Sequence, residues 1–296
     1  MKIIPVFRLL GTSLITSSLG GGIAAWADVP PPPALDTSKT KSVEAFTPIL
    51  PHMVTIPAGT FTMGCKNGRD NVEGLETCSG SETPVHKVMV KTFQLAEKEV
   101  TFAEWDICVN EGECEDLDDS DWGRGNRPVI DVSWDDAQTY IGWLNKRTSK
   151  RYRLPTETEW EYASRAGNND AAYFWGQTAS SGKANCKGCA LFWDYKQTTQ
   201  VGNFTPNAYG LYDMHGNVWE WVQDEWHDSY EGAPTDGSSW EDSDSSTDGH
   251  VQRGGSWNSE PIGMRSAYRH SASLGRNDIR VNNYNSDGFR LALGQE

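Results

Sequence analysis

Three stretches of the chain place apolar residues three or four positions apart, as an amphipathic helix does, and each begins at a capping residue. Thr101–Glu104 is a capping box, in which the side chains at both ends bond each other's backbone N–H groups. Ser133 caps a second stretch that ends near Arg147. Thr156–Glu159 is another capping box, and Gly167 follows the expected end of its helix. The pattern therefore predicts three short helices.

Strict alternation of apolar and polar residues predicts short strands, notably at Val85–Val90 and Gly288–Leu293. Beyond Gly167 the chain is mostly Gly, Asn, Asp and aromatic residues without a regular period, which indicates loops. The chain has 29 glycines and 13 tryptophans. These counts favour an irregular fold held by aromatic anchors over a helical bundle.

The first 27 residues have the pattern of a secretory signal peptide. Lys2 and Arg8 precede an apolar stretch, and Ala25–Ala27 supplies a small-x-small cleavage site. The stretch is too short, and too rich in Gly and Ser, for a membrane-spanning helix. We therefore expect a signal peptide at residues 1–27 and export to the periplasm without membrane insertion. We also expect a Pro-rich tether at 28–48 and one domain at 49–296.

Acidic residues outnumber basic ones, 41 to 26, and the formal charge is −15. Such a chain repels nucleic acid and anionic membranes, so nucleic acid is not expected as a partner. The same carboxylates offer oxygen ligands to cations.

The six cysteines are an even number in a chain expected to be exported, which indicates disulfides. The simplest pairs are local in sequence. The alternative for the Cys-x-x-Cys pair is a redox or zinc role, although no second pair or histidine completes a zinc set. The local pairs are Cys65–Cys78, Cys108–Cys114 and Cys186–Cys189.

Several longer motifs follow one another in order between Val54 and Ala292. They include Phe61–Gly64, Glu82–His86, Arg127–Trp134, Tyr152–Ala163, Asn207–Trp221, Arg253–Trp257, Arg265–Arg269 and Gly288–Ala292. By these motifs the chain resembles the formylglycine-generating-enzyme-like proteins, the sulfatase-modifying-factor family. The resemblance implies an α+β domain related to C-type lectins, with little regular secondary structure. Because a fold does not determine function, the site needs its own argument.

Two structural calcium sites are implied by this resemblance. Carboxylates and backbone oxygens in a glycine-containing turn are the ligands that calcium prefers. The alternative is that these side chains only cap turns. The first site would use Asp213, the carbonyls of Gly216 and Val218, and Glu220; the second would use Asn185, the Cys186 carbonyl and Asp194.

Active enzymes of the family carry two copper-binding cysteines after a Gly-Gly-Ser motif. Here Ser259 takes the first position, the loop for the second is shorter, and no cysteine follows Cys189. A hydroxyl does not replace a thiolate as a copper ligand, so neither copper nor formylglycine generation is expected. Clustered histidines, which an iron centre would need, are also missing from the sequence. The six histidines are scattered, at His52, His86, His215, His227, His250 and His270.

Glu260, beside Ser259, is the candidate acid or base. Partial desolvation by Trp257 would raise the pKa of Glu260 into a range useful for proton transfer. The alternative is an ion pair between Glu260 and Arg265 or Arg269 on a surface loop. The remaining candidates surround a substrate slot between Trp257 and Trp219. These substrate-binding candidates are Ser256, Trp257, Asn258, Arg265, Arg269 and Trp219.

The chain resembles in particular an exported, cysteine-poor branch of the family, the pyoverdine-maturation proteins of fluorescent pseudomonads. That resemblance implies an oxidoreductase acting on a siderophore, which oxidises dihydropyoverdine to pyoverdine. One alternative is a diversified receptor-binding protein, since Asn277–Asp287 is rich in Asn, Tyr, Asp and Ser. Another is a non-catalytic ligand-binding module. The substrate, the oxidant and the oligomeric state do not follow from the sequence.

Overall fold

The cap residues predicted from the sequence begin all three α-helices of the described residues, and the cap at Ser133 also forms a capping box. A computed structural model describes residues 48–72, 78–179, 182–189, 196–241, 249–272 and 284–294. In each helix the cap side chain accepts a bond from the backbone, and the third helical residue bonds back to the cap. The helices are α1 (Phe102–Asn110), α2 (Trp134–Thr148) and α3 (Glu157–Arg165).

Some sequence predictions fall outside the described residues. These are the signal peptide, most of the tether, Asp194, and residues 277–283 of the Asn-rich run. The described residues belong to one unit, residues 45–296, and the predicted domain boundary at 49 stays a prediction. No helix among them has the length and apolar character to span a membrane.

Short strands form three sheets. The strands are β1 (Met53–Ile56), β2 (Gly59–Met63), β3 (His86–Val90), β4 (Phe93–Ala96), β5 (Tyr152–Arg153), β6 (Trp219–Glu225), β7 (His250–Arg253), β8 (His270–Ala272), β9 (Asp287–Phe289) and β10 (Ala292–Leu293). The order of the strands is β1-β4-β10-β5 in the first sheet, β2-β3 in the second, and β8-β7-β6-β9 in the third. The pairs are antiparallel except β6 with β9, which run parallel. Three 3₁₀ turns lie at Gly80–Glu82, Pro261–Met264 and Tyr284–Ser286. The fold is α+β, as predicted.

The single strand predicted at Gly288–Leu293 is wrong, because the chain changes sheets there. β9 pairs with β6, whereas β10 pairs with β4 and β5. Between the two strands, the buried Arg290 guanidinium donates to Glu220 and to the Ala96 carbonyl. The alternation is therefore interrupted by an arginine that joins the two sheets from inside.

The interior contains a chain of buried ion pairs beside its apolar clusters. Glu161 accepts from Arg165 at 3.0 Å and from Arg253 at 2.6 Å. Arg165 also donates to Asp70 at 3.0 Å. Burial alone would raise the pKa of Glu161, but the surrounding arginines outweigh it and hold that pKa below its usual value. Glu161 therefore stays ionised in the core.

The three local disulfides form as predicted, at Cys65–Cys78, Cys108–Cys114 and Cys186–Cys189. The third lies in the segment 182–189, where the Lys187 N–H donates to the Ser259 carbonyl at 3.0 Å. This disulfide-bonded segment therefore supports the loop that carries Glu260.

Candidate functional site

The loop Ser256–Glu260 follows β7 through two glycines with left-handed backbone. Gly254 and Gly255 have φ angles of 92° and 74°. A side chain at Gly255 would lie within 3.0 Å of the Gly263 carbonyl oxygen. Glycine is required there because the loop folds back closely onto the Pro261–Met264 turn.

The hydroxyl groups of Ser256 and Ser259 stabilise this loop. The Ser256 N–H donates to Ser259 Oγ at 2.9 Å, and Ser256 Oγ donates to Asn258 Oδ1 at 2.7 Å. A methyl group on Gly263 would lie 3.6 Å from the Ser259 side chain and 3.8 Å from the Trp219 ring. Ser259 and Trp219 therefore border the same small space.

Glu260 is exposed, contrary to the expected desolvation by Trp257. Its side chain is 66% accessible, and Oε1 lies 3.0 Å from the Lys187 ammonium. The alternative pairing with Arg265 or Arg269 is also wrong. A lysine from the disulfide-bonded segment, 73 residues earlier in sequence, is the partner instead.

Arg265 and Arg269 are buried in ion pairs, so the structure does not offer them to a substrate. Arg265 donates to both Glu82 oxygens, at 2.7 and 3.2 Å. Arg269 donates to both Glu157 oxygens, at 2.7 and 3.0 Å. The structure therefore supports a structural role for both arginines, since releasing either would remove the main ion-pair partner of a buried carboxylate.

The predicted slot residues Trp219 and Trp257 are half-buried and contact different aromatic partners. Trp257 meets Trp122 edge-on at 5.2 Å, and its ring N–H donates to the Asn285 carbonyl. Trp219 stacks on His270 with ring centroids 4.9 Å apart, and Tyr268 lies tilted at 5.9 Å. Both tryptophans are held at fixed positions by neighbours from other segments.

Sequence reasoning missed Lys187 and His270 as residues of this site. Burial lowers the pKa of His270, so its imidazole is neutral at neutral pH. The only sequence signal for His270 was its place directly after a motif. His270 begins the strand directly after the Arg265–Arg269 motif, but a histidine there is not distinctive by itself.

The predicted first calcium site is a buried, acid-rich cluster. Asp213 Oδ2 accepts from the Gly202 N–H at 2.6 Å, whereas Oδ1 is buried without a hydrogen-bond partner among the described residues. Burial raises the pKa of Asp213 to about 6. Burial and the nearby Asp213 raise the pKa of Glu99 well above its usual value. The cluster thus has excess negative charge and one unused carboxylate oxygen, which fits a divalent cation at Asp213.

Glu220 does not fit as a free calcium ligand. Arg290 donates to both of its oxygens at 2.6 Å, and the Trp160 ring N–H donates to Oε2 at 2.8 Å. The neighbouring backbone is nevertheless specialised. A side chain at Gly216 would overlap the Asn185 carbonyl, and that carbonyl accepts from the Asn217 N–H. Asn185 of the second predicted site also has a buried Oδ1 without a hydrogen-bond partner among the described residues, and Cys186 is in its disulfide.

A cavity of about 720 Å³ lies apart from all the predicted site residues, between α2, β5 and the loop 236–241. Its polar groups already bond one another. Arg153 pairs with Glu159, and Asn145 both donates to and accepts from the Tyr152 backbone. The cavity therefore offers no evident chemistry.

In the described residues, two antiparallel sheets, one mixed sheet, short helices and a Gly-Gly-Ser loop define the class of this protein. Residues 39–294 match the sulfatase-modifying factor enzyme 1-like domain, and the chain belongs to that family. The structure of PvdO from Pseudomonas aeruginosa is similar, with 35% identity and a TM-score of 0.69, over 83% of this chain and 95% of PvdO.

Curated relatives are longer than the matching part of this chain. The serine/threonine-protein kinase pkn1 of Chlamydia pneumoniae is 33% identical over 83% of this chain and 38% of the kinase. The mouse formylglycine-generating enzyme is 31% identical over 60% of this chain and 59% of the enzyme. The family thus includes enzymes, and the chain spans well under two thirds of either relative.

Proposed function

We propose that this protein is an exported oxidoreductase that completes a siderophore chromophore, oxidising dihydropyoverdine to pyoverdine in the periplasm. The observation that carries the proposal is the likeness to PvdO, which extends over 95% of that chain at 35% identity. The sequence resemblance to pyoverdine-maturation proteins supports the same assignment. The loop supports a chemistry different from formylglycine generation, because Ser259 stands where copper would need a thiolate.

In this proposal the substrate chromophore lies against Trp219, next to Ser259 and the carboxylate of Glu260. An extended aromatic chromophore gains contact area by stacking on an indole. The Ser256–Asn258 hydrogen bond holds the loop in one conformation, which reduces the ordering cost of binding.

The oxidation removes two electrons and two protons from a carbon–nitrogen framework. Glu260, whose carboxylate lies 3.0 Å from the Lys187 ammonium, takes one proton. The second proton passes to solvent, and the electrons pass to an external two-electron acceptor such as dioxygen. Calcium at Asp213 would be structural, since it would balance the buried carboxylates without touching the substrate.

The direct test compares the wild-type protein with Glu260→Gln in an assay that follows chromophore absorbance. We expect the variant to lose about 10²-fold or more of the turnover rate, the usual size of a general-base contribution. Glu241→Gln is the matched control, because Glu241 is also exposed but lines the separate cavity between α2 and β5.

Two results would contradict parts of the proposal. Turnover by Glu260→Gln at the wild-type rate would exclude Glu260 as the base. Wild-type protein that binds the reduced chromophore without converting it, in the presence of dioxygen, would instead indicate a non-catalytic binding module.

A further inference from the structure

A second cavity, distinct from the Ser256–Glu260 loop, is lined by two tryptophans and two carboxylates. It encloses about 470 Å³, and its walls include Trp226, His227, Asp228, Glu231 and Trp240. We call it the Trp226–Trp240 cavity. Neither the proposed oxidation nor the predicted calcium sites use any of these residues.

The indole rings of this cavity are held in place from behind. Trp240 stacks on His227 with centroids 3.7 Å apart and planes at 6°. The Trp226 ring N–H donates to Asp228 Oδ1 at 3.0 Å, and its backbone N–H donates to the Gly249 carbonyl at 3.0 Å. A ligand would therefore meet preorganised aromatic surface, with little side-chain entropy left to lose on binding.

The charge of the lining is negative. Asp228 and Glu231 are both exposed, and no lysine or arginine is among the described residues that line the cavity. Asp228 Oδ1 accepts from the Trp226 ring N–H, so this carboxylate is fixed beside an indole that a ligand would also contact. Electron-rich ring faces next to carboxylates attract a positive group from two directions.

The buried cation behind Trp226 does not oppose such a ligand. The Arg269 guanidinium lies 4.8 Å from the Trp226 ring centroid and 4.3 Å from that of Tyr230. Its charge is balanced by two hydrogen bonds to Glu157. The net charge that the cavity presents to a ligand therefore remains that of Asp228 and Glu231.

We propose that the Trp226–Trp240 cavity binds an organic ammonium group, with indole surface against the cation and Asp228 and Glu231 balancing its charge. Such a group is carried by small quaternary amines and by primary amines on side chains. A neutral sugar would also stack on the rings. Asp228 and Glu231, with no basic residue among the described residues of the lining, favour the cation.

The test uses choline, butylamine and dimethylbutanol, the neutral isostere of choline in which carbon replaces nitrogen. Binding is measured by calorimetry and by the ring-current shift of the ligand methyl protons in NMR, which all three ligands carry. We expect choline to bind about tenfold more tightly than its neutral isostere, which is the size expected for a cation–π contact with charge balance. Butylamine distinguishes a quaternary ligand from the primary amine of a side chain.

The isosteric double variant Asp228→Asn and Glu231→Gln should weaken choline binding about threefold to fivefold, since the indoles remain, while leaving dimethylbutanol binding unchanged. Glu113→Gln, an exposed acid on another part of the chain, is the control and should bind as the wild type does. Equal binding of choline and its isostere, binding of methyl glucoside that the double variant retains, or no binding of either amine would each overturn the proposal.

Discussion

Two regions of this molecule place a glutamate against a basic side chain, and they differ in nearly everything else. Glu161 is fully buried and bonds Arg165 and Arg253 at 3.0 and 2.6 Å. Glu260 is two-thirds exposed and bonds Lys187 at 3.0 Å. The distances are alike, but the first pair lies in the core and the second is surrounded by water.

The comparison indicates which carboxylate is free for chemistry. In the core, removing one partner leaves an uncompensated charge that water cannot reach. Breaking such a pair therefore lowers the stability of the fold. At the surface, water solvates either partner, so the pair adds little stability. A glutamate of the second kind can exchange a proton with a substrate without disturbing the structure.

The largest expected effect is on stability, from Glu161→Gln. Glutamine has the same shape but is neutral, so Arg165 and Arg253 would stay buried without the negative charge of Glu161. We expect a loss of about 3–5 kcal/mol in the free energy of unfolding, measured by denaturant titration. A loss below about 1 kcal/mol would show that the buried pairs do not control stability.

The next largest effect is the pH dependence of stability, which comes from the buried, neutral His215. Burial lowers the pKa of His215 from 6.5 to about 4, although a hydrogen bond to the Met264 carbonyl partly offsets this. The unfolded chain therefore binds a proton between these pH values while the folded protein does not. Stability should fall by about 3 kcal/mol as pH decreases from 6.5 to about 4.

His215→Asn isolates this contribution, because asparagine can still donate to Met264 but does not titrate. Buried acids act in the opposite direction. Burial and Glu157 raise the pKa of Asp224 to about 8, so its contribution to stability decreases as pH rises. The difference between wild type and variant in the pH dependence of the unfolding free energy should thus come from His215 alone. Parallel curves would contradict the assignment.

A smaller, ligand-dependent effect is expected at Asp213. If calcium binds the unused Oδ1, the ion should stabilise the folded protein by about 2.7 kcal/mol at a hundredfold excess over Kd. Asp213→Asn should abolish the rise in Tm on adding calcium, and a chelator should abolish it in the wild type. Asparagine suits this position because its φ of 56° is left-handed. A calcium-induced rise that persists in the variant would place the ion elsewhere.

Local features of the fold could be predicted from the sequence, and long-range ones could not. Capping boxes such as Thr156–Glu159 and short disulfide loops such as Cys108–Cys114 are complete within a few residues. The strand at Val85–Val90 was confirmed for the same reason, at His86–Val90.

The predictions about the site failed where partners are distant in sequence. Arg265 pairs with Glu82 across 183 residues, and Arg269 with Glu157 across 112. Nothing near either arginine indicates that partner, so a motif arginine beside a candidate loop looked available for substrate. The predicted ion-pair partner of Glu260 was wrong for the same reason, because its partner Lys187 belongs to the distant Cys186–Cys189 segment.

The smallest expected effect is the coupling energy of the Lys187–Glu260 pair, which tests directly how this exposed pair differs from the buried Glu161 pairs. A double-mutant cycle with Lys187→Met and Glu260→Gln should give a coupling energy of about 0.2–1 kcal/mol, because both side chains are largely in water. Each single variant should also keep the wild-type Tm within a few degrees. Loss of turnover in Glu260→Gln would then reflect lost chemistry and not lost structure.

High salt provides the control for the cycle, since screening weakens an exposed pair and leaves the Glu161 pairs nearly unchanged. A coupling above about 2 kcal/mol that persists at high salt would mean that the Lys187–Glu260 pair behaves like the buried ones. Glu260 would then help to hold the loop against the disulfide-bonded segment. Its role would become structural, and proton acceptance would pass to the neutral imidazole of His270, stacked on Trp219.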